Sequence, residues 1–200
     1  MPAGTLRFRT AGPPDVDAVV QLVESAYRGE SSRAGWTTEA DLLDGQRTDP
    51  EEVLALTRDP QTRLLLAEQA NDLVGCVLVR AETAGVGASA SAGAARPASA
   101  DGAHAVVAHI GMFAVRPTLQ SRGLGSALLV EAERIARAEL AALRAEMTVI
   151  EQRLDLLPWY ERRGYRRTGA TEPFPYGNQR FGLPRRPDLR FLVLAKPLTP

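Results

Sequence analysis

The 200-residue chain has one cysteine, one lysine and no net charge, and each scarcity closes off a class of proteins. With Cys76 alone, no intrachain disulfide can form, and a reducing compartment is compatible with the chain. Cys76 lies in the apolar run Leu73 to Val79, where a free cysteine behaves as a small buried hydrophobe, so it receives no catalytic role. Lys and Arg total 24 against 24 Asp and Glu, so no long-range field draws the chain to nucleic acid or an anionic membrane. All basic residues but Lys196 are arginine, a bias that suits phosphate recognition and that GC-rich coding also produces. No stretch reaches the ~18 apolar residues of a membrane span, and residues 1 to 15 lack the apolar segment of an export signal. The expectation is a cytoplasmic protein with no membrane partner, no nucleic-acid partner and no metal site.

What is present suffices for a single domain over residues 1 to 200, since 44% of the chain is hydrophobic. Thr5 to Arg9 alternates like a strand, and Pro13-Pro14-Asp15 opens a helix with Val16, Val19, Val20 and Val23 at helical spacing. Thr38 to Leu43 and Glu51 to Leu56 read as two short helices divided by Pro50, forming a cap beside a sheet. Leu64 to Ala67 and Leu73 to Val79 flank Asn71-Asp72 as an antiparallel hairpin. Residues 84 to 102 are mostly Ala, Gly and Ser, too little side chain to offset ordering entropy, and are expected to be a disordered loop. A long strand follows from His104 to Val115, with Gly111 inside it marking a bulge or close backbone approach. Leu124, Leu128, Ala132 and Ile135 then share one face of a long helix. Strands at Met147 to Ile150, after Gly164-Tyr165 and at Arg190 to Leu194, with a short helix from Asp155 to Arg162, complete a mixed α/β (α+β) order.

Between the strand ending at Val115 and the long helix stands Gln120-Ser121-Arg122-Gly123-Leu124-Gly125-Ser126. Free N–H groups at a helix start, with glycines that let an anion approach, hold phosphate. A Gly-x-Gly turn is weak evidence alone, because tight turns use glycine for steric reasons. A dinucleotide fingerprint needs a further glycine where Leu128 stands, and a P-loop needs Gly-Lys-Ser/Thr, so neither pattern is met.

The segment resembles the central motif of the GCN5-related N-acetyltransferase (GNAT) superfamily, Arg/Gln-x-x-Gly-x-Gly/Ala between a strand and a helix. Strand Ile110 to Val115, Pro117, strand Thr148 to Ile150 and Trp159-Tyr160-Glu161-Arg162-Arg163-Gly164-Tyr165 follow in the order this family uses. The resemblance implies the GNAT-like acyl-CoA N-acyltransferase fold, a mostly antiparallel sheet of six to seven strands, splayed at a bulged strand, with helices on both faces. It implies acetyl-CoA as co-substrate, with Phe113 and Val115 offering main-chain groups to the pantetheine arm and Ser121, Arg122, Gly123, Leu124, Gly125 and Ser126 holding the pyrophosphate, Gln120 opening the motif. Arg153 stands where the family often has Asn, and is read as a cofactor contact or as an acceptor-site or surface residue.

Acyl transfer to an amine needs a deprotonated amine, a polarised carbonyl and a protonated leaving thiolate. His109, six residues before Val115, is the best-placed base; the competing reading is a half-buried strand histidine bonded to backbone. Tyr160 is the candidate acid, its phenol near pKa ~10 facing a thiol near ~8.5, against a packing role for the Trp159-Tyr160 pair. Carbonyl polarisation falls to a backbone N–H near Phe113. Tyr27, Trp36 and Phe174 are expected to pack on the acceptor, a small-molecule or peptide amine that attacks directly in a ternary complex. The rival reading is a non-catalytic acetyl-CoA-binding regulatory module. A homodimer is compatible with the sequence.

Overall fold

The computed structural model describes residues 5–83 and 105–198, so the Ala/Gly/Ser-rich segment expected to be a loop, and His104, lie outside the described residues. The elements in chain order are β1 (Leu6–Thr10), α1 (Val16–Tyr27), α2 (Gly29–Ser32), β2 (Leu43–Asp44), α3 (Pro50–Arg58), β3 (Thr62–Gln69) and β4 (Asp72–Thr83). Then come β5 (Val106–Val115), α4 (Leu124–Ala138), β6 (Arg144–Ile150), α5 (Leu156–Glu161), β7 (Arg166–Pro173), β8 (Leu183–Pro184) and β9 (Arg190–Pro197). Seven strands form one sheet in the order β1-β3-β4-β5-β6-β9-β7, and β2 with β8 makes a separate ribbon.

Apolar positions decide which helix goes where. Val19, Leu22, Val23 and Ala26 of α1 and Val53 and Leu56 of α3 pack on one sheet face with Leu64, Leu66 and Cys76. On the other face, Leu128, Leu129, Ala132, Ile135 and Ala136 of α4 and Leu157 of α5 meet Leu65, Val77, Val79 and Met147. Leu128 and Leu129 are at most 1% exposed, and each such burial contributes about 1.5–3 kcal/mol. Lys196 of β9 reaches across to α4, its Nζ 2.6 Å from Glu133 Oε2.

The expected hairpin forms, closed by Ala70 (φ 51°) and Asn71 (φ 69°), the paired left-handed conformation of a tight hairpin turn. β5 decides the site. It pairs antiparallel with β4 throughout but parallel with β6 only over Val107–His109, after which β6 stays with β9 and the two strands part. Gly111 opposes Leu78 and Ala114 opposes Cys76, which leaves Met112 and Phe113 together opposite Val77. The bulge is at the expected place, yet the left-handed residue is Met112 (φ 42°) rather than the glycine before it. It reverses the strand's facing: Ala108 and Ile110 point to the α4 side, Met112 and Ala114 to the α1 side.

The acceptor-side cap departs from expectation. Residues 38–43 make a turn, not a helix, because Thr38 Oγ1 accepts from Ala40 N (3.1 Å) and Glu39 N donates to Tyr27 O (3.1 Å), after which β2 pairs with β8. The second expected helix is α3, capped by Asp49 accepting from Glu52 N at 2.8 Å. No helix among the described residues is long and apolar enough to cross a membrane.

Candidate functional site

A short 3₁₀ turn at Pro117–Leu119 carries the chain from β5 to the glycine turn. Ser121 (φ 63°) and Gly123 (φ 83°) are both left-handed, and α4 starts at Leu124, with Ala127 N the first amide to bond back, to Gly123 O at 3.0 Å. Among the described residues, no amide from Ser121 to Ser126 donates to a protein acceptor, which leaves six successive N–H groups at a helix N-terminus. Unpaired amides at a helix start are the kind of group that can receive an anion. Gly123 is there for its φ, since nothing lies within 4 Å of an added Cβ; at Gly125 a Cβ would meet Trp159 at an ordinary 3.5 Å. Arg122 is exposed in the same turn.

Beside this cradle runs the free edge of β5. Arg116 N bonds Val74 O at 2.9 Å, so by alternation Ala114 faces β4 while Phe113 and Val115 turn their main-chain groups toward the gap. Two of those carbonyls already have donors. Tyr27 Oη donates to Phe113 O at 2.6 Å, and Gln120 Nε2 donates to Val115 O at 3.0 Å. Gln120 is otherwise spent on the acceptor side: Oε1 accepts from Trp36 N (2.8 Å) and Thr37 N (3.3 Å), and Nε2 donates to Thr37 Oγ1 (2.7 Å). Its side chain therefore buckles residues 36 and 37 to the end of β5 rather than pointing at a phosphate. Gly35 makes room, because a Cβ there would lie 2.6 Å from Gln120 Oε1.

An aromatic wall fills the far side of the gap. Trp159 of α5 lies 5.9 Å from Phe113, 6.2 Å from Trp36 and 5.0 Å from Tyr160, measured between ring centres. Tyr160 is buried and sits 6.4 Å from Phe113. Burial, reinforced by Tyr27 and opposed by Arg153 and Arg163, pushes the Tyr160 pKa well above the phenol range. The buried Tyr160 phenol is thus a weaker acid than the free-solution value used above. Arg163, which sequence reasoning overlooked, rests 3.6 Å above the Trp159 ring and donates to Ser126 Oγ, so a cation borders the anion cradle. Its signal is local, an Arg four residues after a Trp on a helix.

On the acceptor side, Tyr27 is buried, and burial with Glu39 nearby pushes its phenol up to about 12. Arg153 is 4% exposed and committed within the protein, Nη1 to Thr37 O (3.2 Å), Nε to Asp155 (3.3 Å), with Glu39 Oε1 3.8 Å from Nη1. Glu39 also takes Arg28 Nη1 at 2.6 Å. Phe174 is not on the cleft surface; it is 4% exposed, in a small core with Leu43, Ile150 and Leu189 under the β2–β8 ribbon. His109 stands on the α1 side of β5 with Nε2 3.3 Å from Glu82 Oε2. At about 3.3 Å per residue it lies on the order of 10–13 Å down the strand from Phe113, beyond direct hydrogen-bond reach. Cys76 is sealed behind the bulge, Sγ 3.6 Å from Met112 O, its thiol raised to about 12 by burial.

Comparison with known proteins bears on the fold and the family. No curated protein matches the sequence. Solved structures do: a putative phosphinothricin N-acetyltransferase is 20% identical over 98% of this chain and 100% of its own, TM-score 0.62. An acetyltransferase of Streptococcus pneumoniae is 18% identical over 98% and 100%, TM-score 0.62. An N-acetyltransferase of Thermoplasma acidophilum, solved with coenzyme A, is 14% identical over 96% and 99%, TM-score 0.57. These likenesses are of fold. The model of the acetyltransferase (GNAT) family matches residues 17–165, and with most of its length so matched this chain belongs to that family.

Proposed function

We propose that the protein is one N-acetyltransferase domain that moves the acetyl group of acetyl-CoA to a primary amine by direct attack in a ternary complex. The observation that carries the reading is the run of unspent amides from Ser121 to Ser126 abutting the outward main-chain edge at Phe113 and Val115. The coenzyme A in the Thermoplasma structure supports the same assignment.

In this reading the amides from Ser121 to Ser126 hold the pyrophosphate, with Arg122 and Arg163 adding charge, and the edge of β5 orients the pantetheine arm as an added strand. The co-substrate supplies the acyl thioester. Phe113 N–H, set by the bulge, polarises the acyl oxygen. Tyr160 keeps its proton at every working pH and offers it to the departing sulfur. His109, given its distance, takes the amine's proton only through water. Tyr27 and Arg153 hold the acceptor loop against the bulge, and Trp36 packs on the amine's carbon skeleton.

Free thiol released from acetyl-CoA across a panel of amines tests the reading. Tyr160→Phe is expected to lower kcat by about 10²-fold while the acetyl-CoA dissociation constant stays within about twofold. Binding without thiol release from any amine would point to a regulatory module instead, and normal turnover by Tyr160→Phe would remove it as the acid.

A further inference from the structure

The two outward carbonyls at the end of β5 each carry a donor that also belongs to the acceptor side. Tyr27 Oη donates to Phe113 O at 2.6 Å, and Gln120 Nε2 donates to Val115 O at 3.0 Å. Gln120 does more than meet Val115. Its Oε1 accepts from Trp36 N (2.8 Å) and Thr37 N (3.3 Å), and Nε2 also donates to Thr37 Oγ1 (2.7 Å). These bonds use both donor hydrogens and both acceptor lone pairs of the carboxamide. They also fix which way round it lies, since Trp36 N and Thr37 N can only donate and Val115 O can only accept. Gly35 leaves the group its space: a Cβ there would stand 2.6 Å from Oε1, 2.7 Å from Cδ and 2.8 Å from Nε2 of Gln120.

Val115 lies where the strand is least supported. Among the described residues β5 pairs with β6 only over Val107–His109, so from Ile110 onward its outward edge has no strand beside it. A carbonyl oxygen has two lone pairs, and at Val115 Gln120 takes one. The other serves a donor arriving along the edge, as in strand addition. Whatever pins Val115 in this way also pins the anchor of Gln120. From there the path to the acceptor wall is short. The Trp36 ring centre is 6.2 Å from that of Trp159, and Thr37 O accepts from Arg153 Nη1 at 3.2 Å. Tyr27 repeats the arrangement at Phe113, since its own carbonyl accepts from Glu39 N at 3.1 Å. The segment from Tyr27 to Glu39 is thus hung at two points from the edge of β5.

We propose that Gln120 is a positioning residue that transmits occupancy of the β5 edge to Trp36 and Thr37, so that coenzyme binding tightens the acceptor wall. This rests on the acetyltransferase reading above for the coenzyme's place along β5. The link is one hydrogen bond, so its effect is modest, about threefold, and by linkage the same factor bounds what breaking it costs in coenzyme affinity. Amide hydrogen exchange with coenzyme A as the only ligand tests the link without an acceptor. In the wild-type protein coenzyme A is expected to slow exchange at Ser121 to Ser126 and to slow Trp36 N and Thr37 N about threefold. Gln120→Glu separates holding from transmitting, because its carboxylate still accepts from both amides but cannot donate to Val115 O. In that variant Trp36 N and Thr37 N are expected to keep most of their coenzyme-free protection, while their response to coenzyme A vanishes. A tie that only holds the loop would leave the response intact. Gly35→Ala displaces the carboxamide without altering it, and is expected to abolish the response by a second route should Gln120→Glu not fold. Slowing at Ser121 to Ser126 with Trp36 and Thr37 unchanged overturns the inference, as does a response that survives in Gln120→Glu. Absence of slowing at Ser121 to Ser126 overturns the coenzyme reading instead.

Discussion

Between Phe113 and Ser126 the groups left over for a ligand belong to the main chain, whereas from Tyr27 to Thr48 they are side chains, most already paired with one another. In the proposed reading the first region recognises by backbone conformation. Its demands are a left-handed Gly123, a left-handed Ser121 and a strand that bulges at Met112. The second is a set of charges, Arg28, Glu39 and Arg153, paired with one another beside a ribbon built from distant parts of the chain. On the proposed reading a ligand common to many relatives suits the former, because amide N–H groups donate to any phosphate, and one particular amine needs the latter.

The harshest trial of this division is Gly123→Val. A β-branched residue at φ 83° costs about 1–3 kcal/mol, so acetyl-CoA affinity is expected to fall roughly 10- to 100-fold in calorimetry, with acceptor KM unchanged at saturating co-substrate. An unaltered affinity would mean that the amides from Ser121 to Ser126 are not the anchor. Gln120→Ala sharpens the boundary, since its motif position belongs to the coenzyme half while its bonds tie down Trp36 and Thr37. Loss of those bonds is expected to lower kcat/KM for the acceptor about tenfold and to change acetyl-CoA affinity less than about threefold. A larger loss on the coenzyme side would reassign the residue.

Smallest in effect is the alkaline response. Tyr27 and Tyr160 are both held protonated by burial, so their contribution to stability is fully present below the free phenol value of ~10 and is lost as pH rises past it, for Tyr27 until about 12. Urea midpoints are therefore expected to show no tyrosine-linked fall below pH ~10 and a decline above it, shallower in Tyr27→Phe. A tyrosine-linked decline that begins near neutrality would mean that the phenols are not enclosed.

The same division governs what could be read from residues alone. Gly123 and Gly125 between an apolar strand and an amphipathic helix are local signals, as are Pro50 and the polar pair Asn71-Asp72, although the turn itself falls one residue earlier, at Ala70-Asn71. The β3–β4 hairpin, the strand β5 and the apolar face of α4 follow from patterns within each segment. By contrast, the β2–β8 ribbon joins Leu43 to Pro184, and nothing near Leu43 announces its partner. Thr38 to Leu43 carries a helical pattern that Glu39 N–Tyr27 O and the ribbon override. Phe174 looked like an acceptor contact because it is aromatic in a proline-rich loop, yet its place under the ribbon is set by Leu43 and Ile150.

Lys196, anchored to Glu133 at 2.6 Å, is the only lysine in the sequence. A protein that keeps a reactive thioester within reach is exposed to acylation of its own side-chain amines, and here a single ammonium, already engaged across β9 and α4, stands open to that damage. Self-modification of side-chain amines should then be slow and confined to one position, so an acetyl-lysine found on intact protein reports on Lys196, and the side-chain surface offers almost no competing amine for the donor.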